Sequence, residues 1–502
     1  MQQTTIPRPA ADEPIERQVW AVAAVVVIGS IMSIMATTIV NVALDRLSVQ
    51  LGASLADIQW VVTGYLLGMA AVIPAAGWAV LRVGGKRLYL ASVAAFVVAS
   101  VLCAIAWSTA SLIAFRVLQG MAGGLTLPVG QMMLAAAAGP HRMGRVMSVV
   151  GVPLVLGPVL GPVLGGLIVD NLSWHWIFVV NVPFGVAALA LGTRCLPVRE
   201  RRPAGRLDVV GLVLCSVGVP LVIYGLSRTV QSGGFASSQV LLPVVGGLAC
   251  LAAFAVHAQR TPHPLLDVRL LRNAGFAAAV VGTFCIGAAL FGAMLLLPLY
   301  FQVVRAESAL NAGLLLIPQA VGAAASMPVS GRLADRVGGG RVAVVGLVVM
   351  TLATIPLAQV GATTPYWLIG VVLFARGVGM GGGTMPMMAA AYATLRTTDI
   401  PHATPQLNVA QRLGGSVGTA LLSVNLSRRM ADVLPAGKAA SAHGHLPPSL
   451  AEALARAFGA TYWWAVAISA VALVPALLLA RIERRGRTAL VREQAGLADL
   501  AR

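Results

Sequence analysis

Fourteen apolar runs follow one another along this chain, each long enough for a helix to cross about 30 Å of hydrocarbon. They lie approximately at 19–43, 58–80, 88–107, 111–138, 146–169, 176–193, 209–227, 239–257, 274–302, 310–331, 342–360, 366–392, 404–426 and 462–480. Lipid offers the backbone no hydrogen-bond partners, so a chain built this way can only stack helices side by side. The expected fold is an all-α membrane protein with fourteen transmembrane helices. Only 10% of the residues are charged, where a soluble domain has about a quarter. The first run is too long for a signal-peptide core and no convincing cleavage site follows it, so it is expected to remain as a span.

A net charge of +18 would suit a nucleic-acid partner, but its placement argues against one. With the N-terminus in the cytoplasm, 25 of the 35 Lys and Arg fall in inner loops and tails, seven outside and three within spans. That bias sets orientation and places both termini in the cytoplasm. The run Arg481, Arg484, Arg485 and Arg487 would then sit against anionic lipid headgroups. Arg outnumbers Lys 33 to 2, which points to a GC-rich bacterial source and an inner cell membrane. The five cysteines are scattered and have no metal-ligand spacing. His443 and His445 form an HGH in the long outer loop 427–461, where a solvated loop is expected rather than a metal site. GVGMGGG (377–383) lies inside an apolar run with no strand before it, so it reads as close helix packing. No phosphate-binding loop and no catalytic constellation is visible. Neither an enzyme, a metal nor a cofactor is expected.

The runs group as six, two and six. The expected divisions are a cytoplasmic tail over 1–18, a six-helix bundle over 19–206, two inserted linker helices over 207–262, a second bundle over 263–481, and a basic cytoplasmic tail over 482–502. GWAVLRVGGKR (77–87) follows the second run and GRLADRVGGGR (331–341) follows the tenth. Related segments at matching places are what transporter repeats look like. GVPLVLGPVLGPVLGG (151–166) carries Gly157, Gly161 and Gly165 four apart, a smooth stripe for close helix approach. Pro158 and Pro162 each remove an amide donor and should bend that helix. A seam between moving parts is expected there; static packing is the alternative.

These segments resemble the fourteen-helix drug:proton antiporter family of the major facilitator superfamily. LIAFRVLQGMAGG (112–124) resembles the family's fourth-helix motif, with Arg116 as its arginine. The 151–166 stretch is similar to the fifth-helix antiporter motif, and the two glycine/basic segments to the loop motif. TTIVNVAL (37–44) and WHWIFVVNVPFG (174–185) are similar to segments of the fourteen-helix branch. The resemblance implies a major-facilitator-type fold that exports small amphipathic molecules by alternating access, coupled to protons. A monomer is expected to suffice. The chain departs from the pattern at three places: Ala36 and Leu81 stand where acids are usual, and Asp45 where proline is.

All seventeen Asp and Glu lie in loops, tails or span ends. Asp57, Glu307 and Asp335 are therefore the expected coupling carboxylates; Arg116, Arg336, Gly157, Pro158, Gly161 and Pro162 join them as coupling or gating candidates. For Asp335 the expected role is more often the plainer one, fastening an inner gate by pairing with nearby arginines. Arg116, Arg376 and Arg412 lie within spans, where a charge costs about 3 kcal/mol and so faces a cavity or a partner. For Arg116 two readings stand: a cavity-facing arginine, or a structural one bonded to carbonyls and Asn41. The expected substrate contacts are Thr37, Thr38, Asn41, Trp60, Tyr65, Arg116 and Gln119 from the first bundle. Gln319, Met385, Met387, Gln406, Asn408 and Arg412 are those from the second. With positive side chains and no acid at depth, such a cavity disfavours dications and suits neutral, zwitterionic or anionic amphiphiles. The alternative function is a lipid or lipid-like metabolite translocator of the same fold.

Overall fold

The structure is a computed structural model and describes residues 15–139, 142–197, 205–433 and 447–485. Among the described residues there are helices and turns and no strand. The first block comprises α1 (Arg17–Thr38), α2 (Leu44–Gln50), α3 (Leu55–Ile58), α4 (Trp60–Val72), α5 (Ala76–Val83), α6 (Gly85–Ala104), α7 (Thr109–Ala138), α8 (Met143–Asn171), α9 (Trp176–Val179) and α10 (Asn181–Cys195). A pair follows, α11 (Val209–Ser227) and α12 (Ser238–Arg260). The last block comprises α13 (Ala274–Val303), α14 (Ala309–Leu314), α15 (Ile317–Val337), α16 (Gly339–Thr354), α17 (Tyr366–Ala393), α18 (Ile400–Val433) and α19 (Pro448–Val471).

Twelve stretches of the described chain are long and apolar enough to cross a membrane, so this is a multi-pass membrane protein. The helices α8 and α18, of 29 and 34 residues, stand outside those twelve. Gln406, Asn408, Gln411 and Arg412 make α18 the more polar of the long helices.

Local chemistry places the breaks. The first span does not run as one helix to residue 43, as its apolar run predicts; at Ile39–Ala43 it narrows to a 3-10 turn before α2. The TTIVNV segment is rich in β-branched residues, which lose rotamer freedom in a helix. Thr37 Oγ1 also donates to Ser33 O (3.1 Å) and Thr38 Oγ1 to Met35 O (3.3 Å), drawing carbonyls out of line. At the other end of the chain, α18 continues to Val433 and α19 already begins at Pro448, so the loop expected over 427–461 is shorter. Apolar runs mark the lipid-facing length, and helices extend past it. His443 and His445, like Arg487 of the basic tail, lie outside the described residues.

Within the first bundle α7 packs on α1, α4 and α6, and α1 on α8 and α10. In the second, α13 packs on α18, and α17 on α15 and α16. The bundles meet where α8 lies on α14, α15 and α17, and where α18 lies on α5 and α7. The helix α11 touches both bundles, through α4 and through α18. The apolar core is divided unevenly. A single cluster containing Val26, Phe96, Met147, Phe276, Met327 and Leu407 runs through both bundles. Toward the other end it splits in two, one cluster around Ile39, Leu112 and Phe178, the other around Phe301, Leu373 and Phe458. One end of the molecule is fused; at the other the cores are parted, with α8 against α14 as the contact that still joins the halves there.

Candidate functional site

At the fused end the bundles touch at two crossings. In the first, α8 passes α15 so closely that a methyl on Gly331 would meet the carbonyl of Gly144. Asp335 closes this crossing. Its Oδ1 accepts the Gly144 N–H at 2.7 Å, and its Oδ2 accepts both the backbone N–H (3.3 Å) and the Nε–H (3.1 Å) of Arg145. The carboxylate thus sits on the first turn of α8, where unpaired amides and the helix dipole favour an anion. Its side chain is only 4% exposed. In the second crossing, a methyl on Gly77 would strike the carbonyl of Pro401. Nearby, Asn408 Nδ2 donates to Gln131 Oε1 across the bundles at 2.8 Å.

At the parted end lies a cavity of about 380 Å³. Its position follows from which part of each helix lines it. The helices α1, α13 and α18 start at the fused end and contribute from Ile34, Leu290 and Arg412 onward. The helices α4 and α15 start at the parted end and contribute their first turns, at Val62, Leu66, Gln319 and Ala320. Ile223 and Leu226 of α11 close one side. The walls are mostly aliphatic, with polar groups from Thr37, Thr38, Asn41, Gln319, Ser416, Thr419 and Ser423. A volume of this order, apolar with a few polar groups, is typical of small-molecule sites.

Thr37, Thr38, Asn41, Gln319 and Arg412, all expected from the sequence, therefore come together on this wall. The other expected contacts lie elsewhere in this conformation. Arg116 is 0% exposed. It donates to Val61 O (3.0 Å), Ala36 O (3.2 Å) and Gln119 Oε1 (2.6 Å), and its guanidinium lies 4.1 Å from the Tyr65 ring centre. Two carbonyls hold it, as the structural reading has it, but Asn41 is not its partner. Gln119 passes the bond on to Ser100, and Tyr65 donates to Ser33 O. Arg376 is likewise enclosed, donating to Gln319 Oε1 (2.8 Å) and Thr354 Oγ1 (3.3 Å). Trp60 stacks on Tyr224 of α11, with ring centres 5.5 Å apart. Met385 lies against Gly151, and Met387 against Gly282. Gln406 Nε2 donates to Asp267 O at 2.9 Å.

The 157–165 glycine stripe faces α1, inside the first bundle. Methyls there would strike Ile34, Thr38 and Ile39, and Thr38 Oγ1 donates to Gly157 O at 3.2 Å. The side of α8 that meets the second bundle carries Gly144, Gly151 and, against Leu310, Gly166 instead. The side chains of Pro158 and Pro162 lie outside the described residues; the helix runs on through both positions.

Asp57 is exposed and Glu307 half-buried. Asp57 accepts from Ser54 Oγ at 2.7 Å. Glu307 accepts from Tyr366 (2.6 Å) and Asn311 (2.9 Å), which hold its carboxyl below its ordinary pKa. Both sets of bonds stay within one bundle, and Arg336 is exposed at the end of α15. The sequence reading missed the α11 wall and the hydroxyls Ser416, Thr419 and Ser423, which continue the α18 stripe from Arg412. The stripe does have a signal: positions i, i+4, i+7 and i+11 share one helix face.

A family profile described as Major Facilitator Superfamily matches residues 26–419. Over 408 residues the chain is 40% identical to a multidrug resistance protein B homolog of Mycobacterium tuberculosis, covering 81% of this chain and 76% of that one. Over 447 residues it is 26% identical to the lincomycin resistance protein LmrB of Bacillus subtilis, covering 89% and 92%. The crystal structure of the human organic anion transporter MFSD10 superposes with a TM-score of 0.59 at 14% identity, over 91% of this chain and 100% of that one. At that identity the likeness concerns the fold alone.

Proposed function

The chain belongs to the Major Facilitator Superfamily, whose members are transporters rather than enzymes, and we propose that it exports small amphipathic compounds, antibiotics among them, from a bacterial cytoplasm. The observation that carries this reading is the cavity between two bundles that are fused at one end and parted at the other. Resistance-named relatives support efflux as the direction. The basic loops lie at the fused end, so by the positive-inside rule that end is cytoplasmic and this is the outward-facing state. Fourteen spans are the proposed count, with α8 and α18 completing the twelve.

Transport then requires the crossings at Gly331 and Gly77 to part while the outer clusters join. The proton gradient is the proposed energy source. Of the three candidate carboxylates, Asp335 alone bonds across the bundles. Protonating it would remove the charge that holds Arg145 and weaken two backbone bonds at once, freeing the inner gate. The test is purified protein in sealed vesicles with an imposed pH step and a panel of amphipathic compounds. Uptake that follows the gradient and fails in Asp335→Asn is expected. Flux indifferent to the gradient would remove proton coupling, and no flux of any compound would remove the export reading.

A further inference from the structure

The three intramembrane arginines are not equivalent. Arg116 and Arg376 are enclosed and hydrogen-bonded to protein. Arg412 is on the cavity wall, and among the described residues no hydrogen bond or ion pair holds its guanidinium. No Asp, Glu, Lys or His accompanies it on that wall. It is also the first cavity residue of α18, so it marks the floor, and the rest of the stripe climbs from it toward the mouth. One turn below, Asn408 makes its bond to Gln131 and seals the floor.

An ionised guanidinium held in an apolar enclosure without a counter-charge is costly, and a ligand that brings the missing anion relieves that cost. Arginine presents its donors as a planar fork that matches a carboxylate with two parallel bonds. Above the floor, Ile223, Leu226, Leu290, Phe291 and Met294 offer apolar surface, and Ser416 and Thr419 offer single hydroxyls. We propose that the preferred cargo is an amphiphilic monoanion, with one carboxylate seated on Arg412 and its apolar body lying up the cavity toward the mouth. This rests on the export reading. Arg412 is the charged side chain among the described lining residues, so one carboxylate on it is attracted and a cation is repelled.

The test uses three fluorescent compounds with one body: 4-(1-pyrenyl)butyrate, its primary amide and the corresponding butyl trimethylammonium. Binding is measured on the full-length protein in lipid nanodiscs, at neutral pH and fixed salt. The carboxylate is expected to bind at least about tenfold tighter than the amide, a difference of about 1.4 kcal/mol, with the ammonium weakest. In Arg412→Gln the carboxylate should fall to the level of the amide while amide binding is unchanged. Arg412→Lys should keep a reduced preference, since the charge remains and the fork is lost. Wild-type protein that binds carboxylate no tighter than amide overturns the proposal, as does a preference that survives in Arg412→Gln. The wild-type series decides the matter even where the glutamine variant fails to fold. The same compounds in sealed vesicles separate the two readings. Flux without a carboxylate preference leaves export standing and removes the Arg412 anchor. Tight carboxylate binding without flux of any compound leaves the anchor and removes export.

Discussion

The two crossings at the fused end are built from one repeated segment and are finished differently. Gly77 and Gly331 occupy the same place in GWAVLRVGGKR and GRLADRVGGGR, and each lets its helix pass against a carbonyl of the other bundle. Both segments then turn on a glycine at positive φ, Gly84 at 92° and Gly338 at 105°. Four residues after the crossing glycine, one segment has Asp335 and the other has Leu81. The acid bonds to the first turn of α8; the leucine has nothing to offer α18. On α18 the residue after Pro401 is His402, and its Nδ1 is buried without a partner. The gate is therefore sealed by shape on both sides and by charge on one. Shape cannot be switched by a proton, whereas the charged side can.

Four experiments press on this difference. The largest effect is expected from Gly331→Leu, where even a methyl collides with Gly144. The inner gate should fail to close, with a loss of about 3 kcal/mol or more in the closed state. Distances between spin labels at Arg87 and Arg341 should lengthen; an unchanged distance would mean the crossing is not the contact that closes the gate. Next comes Asp335→Asn, which removes the anion from Arg145 and the α8 amides at a cost of about 1–3 kcal/mol. The same labels should show a mixed population, and a single closed population would make Asp335 dispensable. Smaller and opposite in sign is Leu81→Asp, which places an acid near the first turn of α18. It should favour closure by about 0.3–1 kcal/mol and slow transport. Faster turnover would mean that the two crossings are not equivalent in register.

The smallest effect on either crossing is expected from Asp208→Asn, whose hydrogen bonds go to neither. Burial raises the pKa of Asp208, but hydrogen bonds from Gly211, His257 and Leu265 outweigh it and hold the carboxyl below its ordinary value. A depressed carboxylate stabilises the fold above the ordinary carboxylate range. That contribution is lost as pH falls through the lowered value. The melting difference between wild type and Asp208→Asn should thus be constant near neutrality, about 1 kcal/mol, and vanish in acid. Label distances at the crossings should not change.

The sequence made the series of helices legible because lipid leaves a chain so few options. Apolar run length alone separates most spans. It did not show where α1 narrows at Ile39: the β-branched TTIVNV run and the Thr37 and Thr38 hydroxyls are a local signal, but an apolar run length does not register it. Nor could it rank the arginines. Arg116 and Arg412 have similar neighbours in sequence, but a helix face is assigned by what packs on it. Arg116 turns toward the carbonyls of Ala36 and Val61, while Arg412 lines the cavity. Trp60, Met385 and Met387 were reasonable contacts for varied cargo and are packed against protein here for the same reason. The hydroxyl stripe beyond Arg412 was readable from spacing, because it needs only the helical period.

The inserted helix α11 leans on both halves, though with unequal grip. Ser216 Oγ donates to Ala71 O at 2.6 Å, Trp60 stacks on Tyr224, and Gln231 donates to Gln59 at 2.7 Å. Every one of these ties is to the first half. Its meeting with α18 is greasy, Val222 and Leu226 against Ala420. Dispersion contacts can be re-made one step along, whereas a directed hydrogen bond must break. When the halves rock, the inserted pair should ride with the first and slide over the second, as a sliding door that keeps lipid out of the cavity while its far jamb moves.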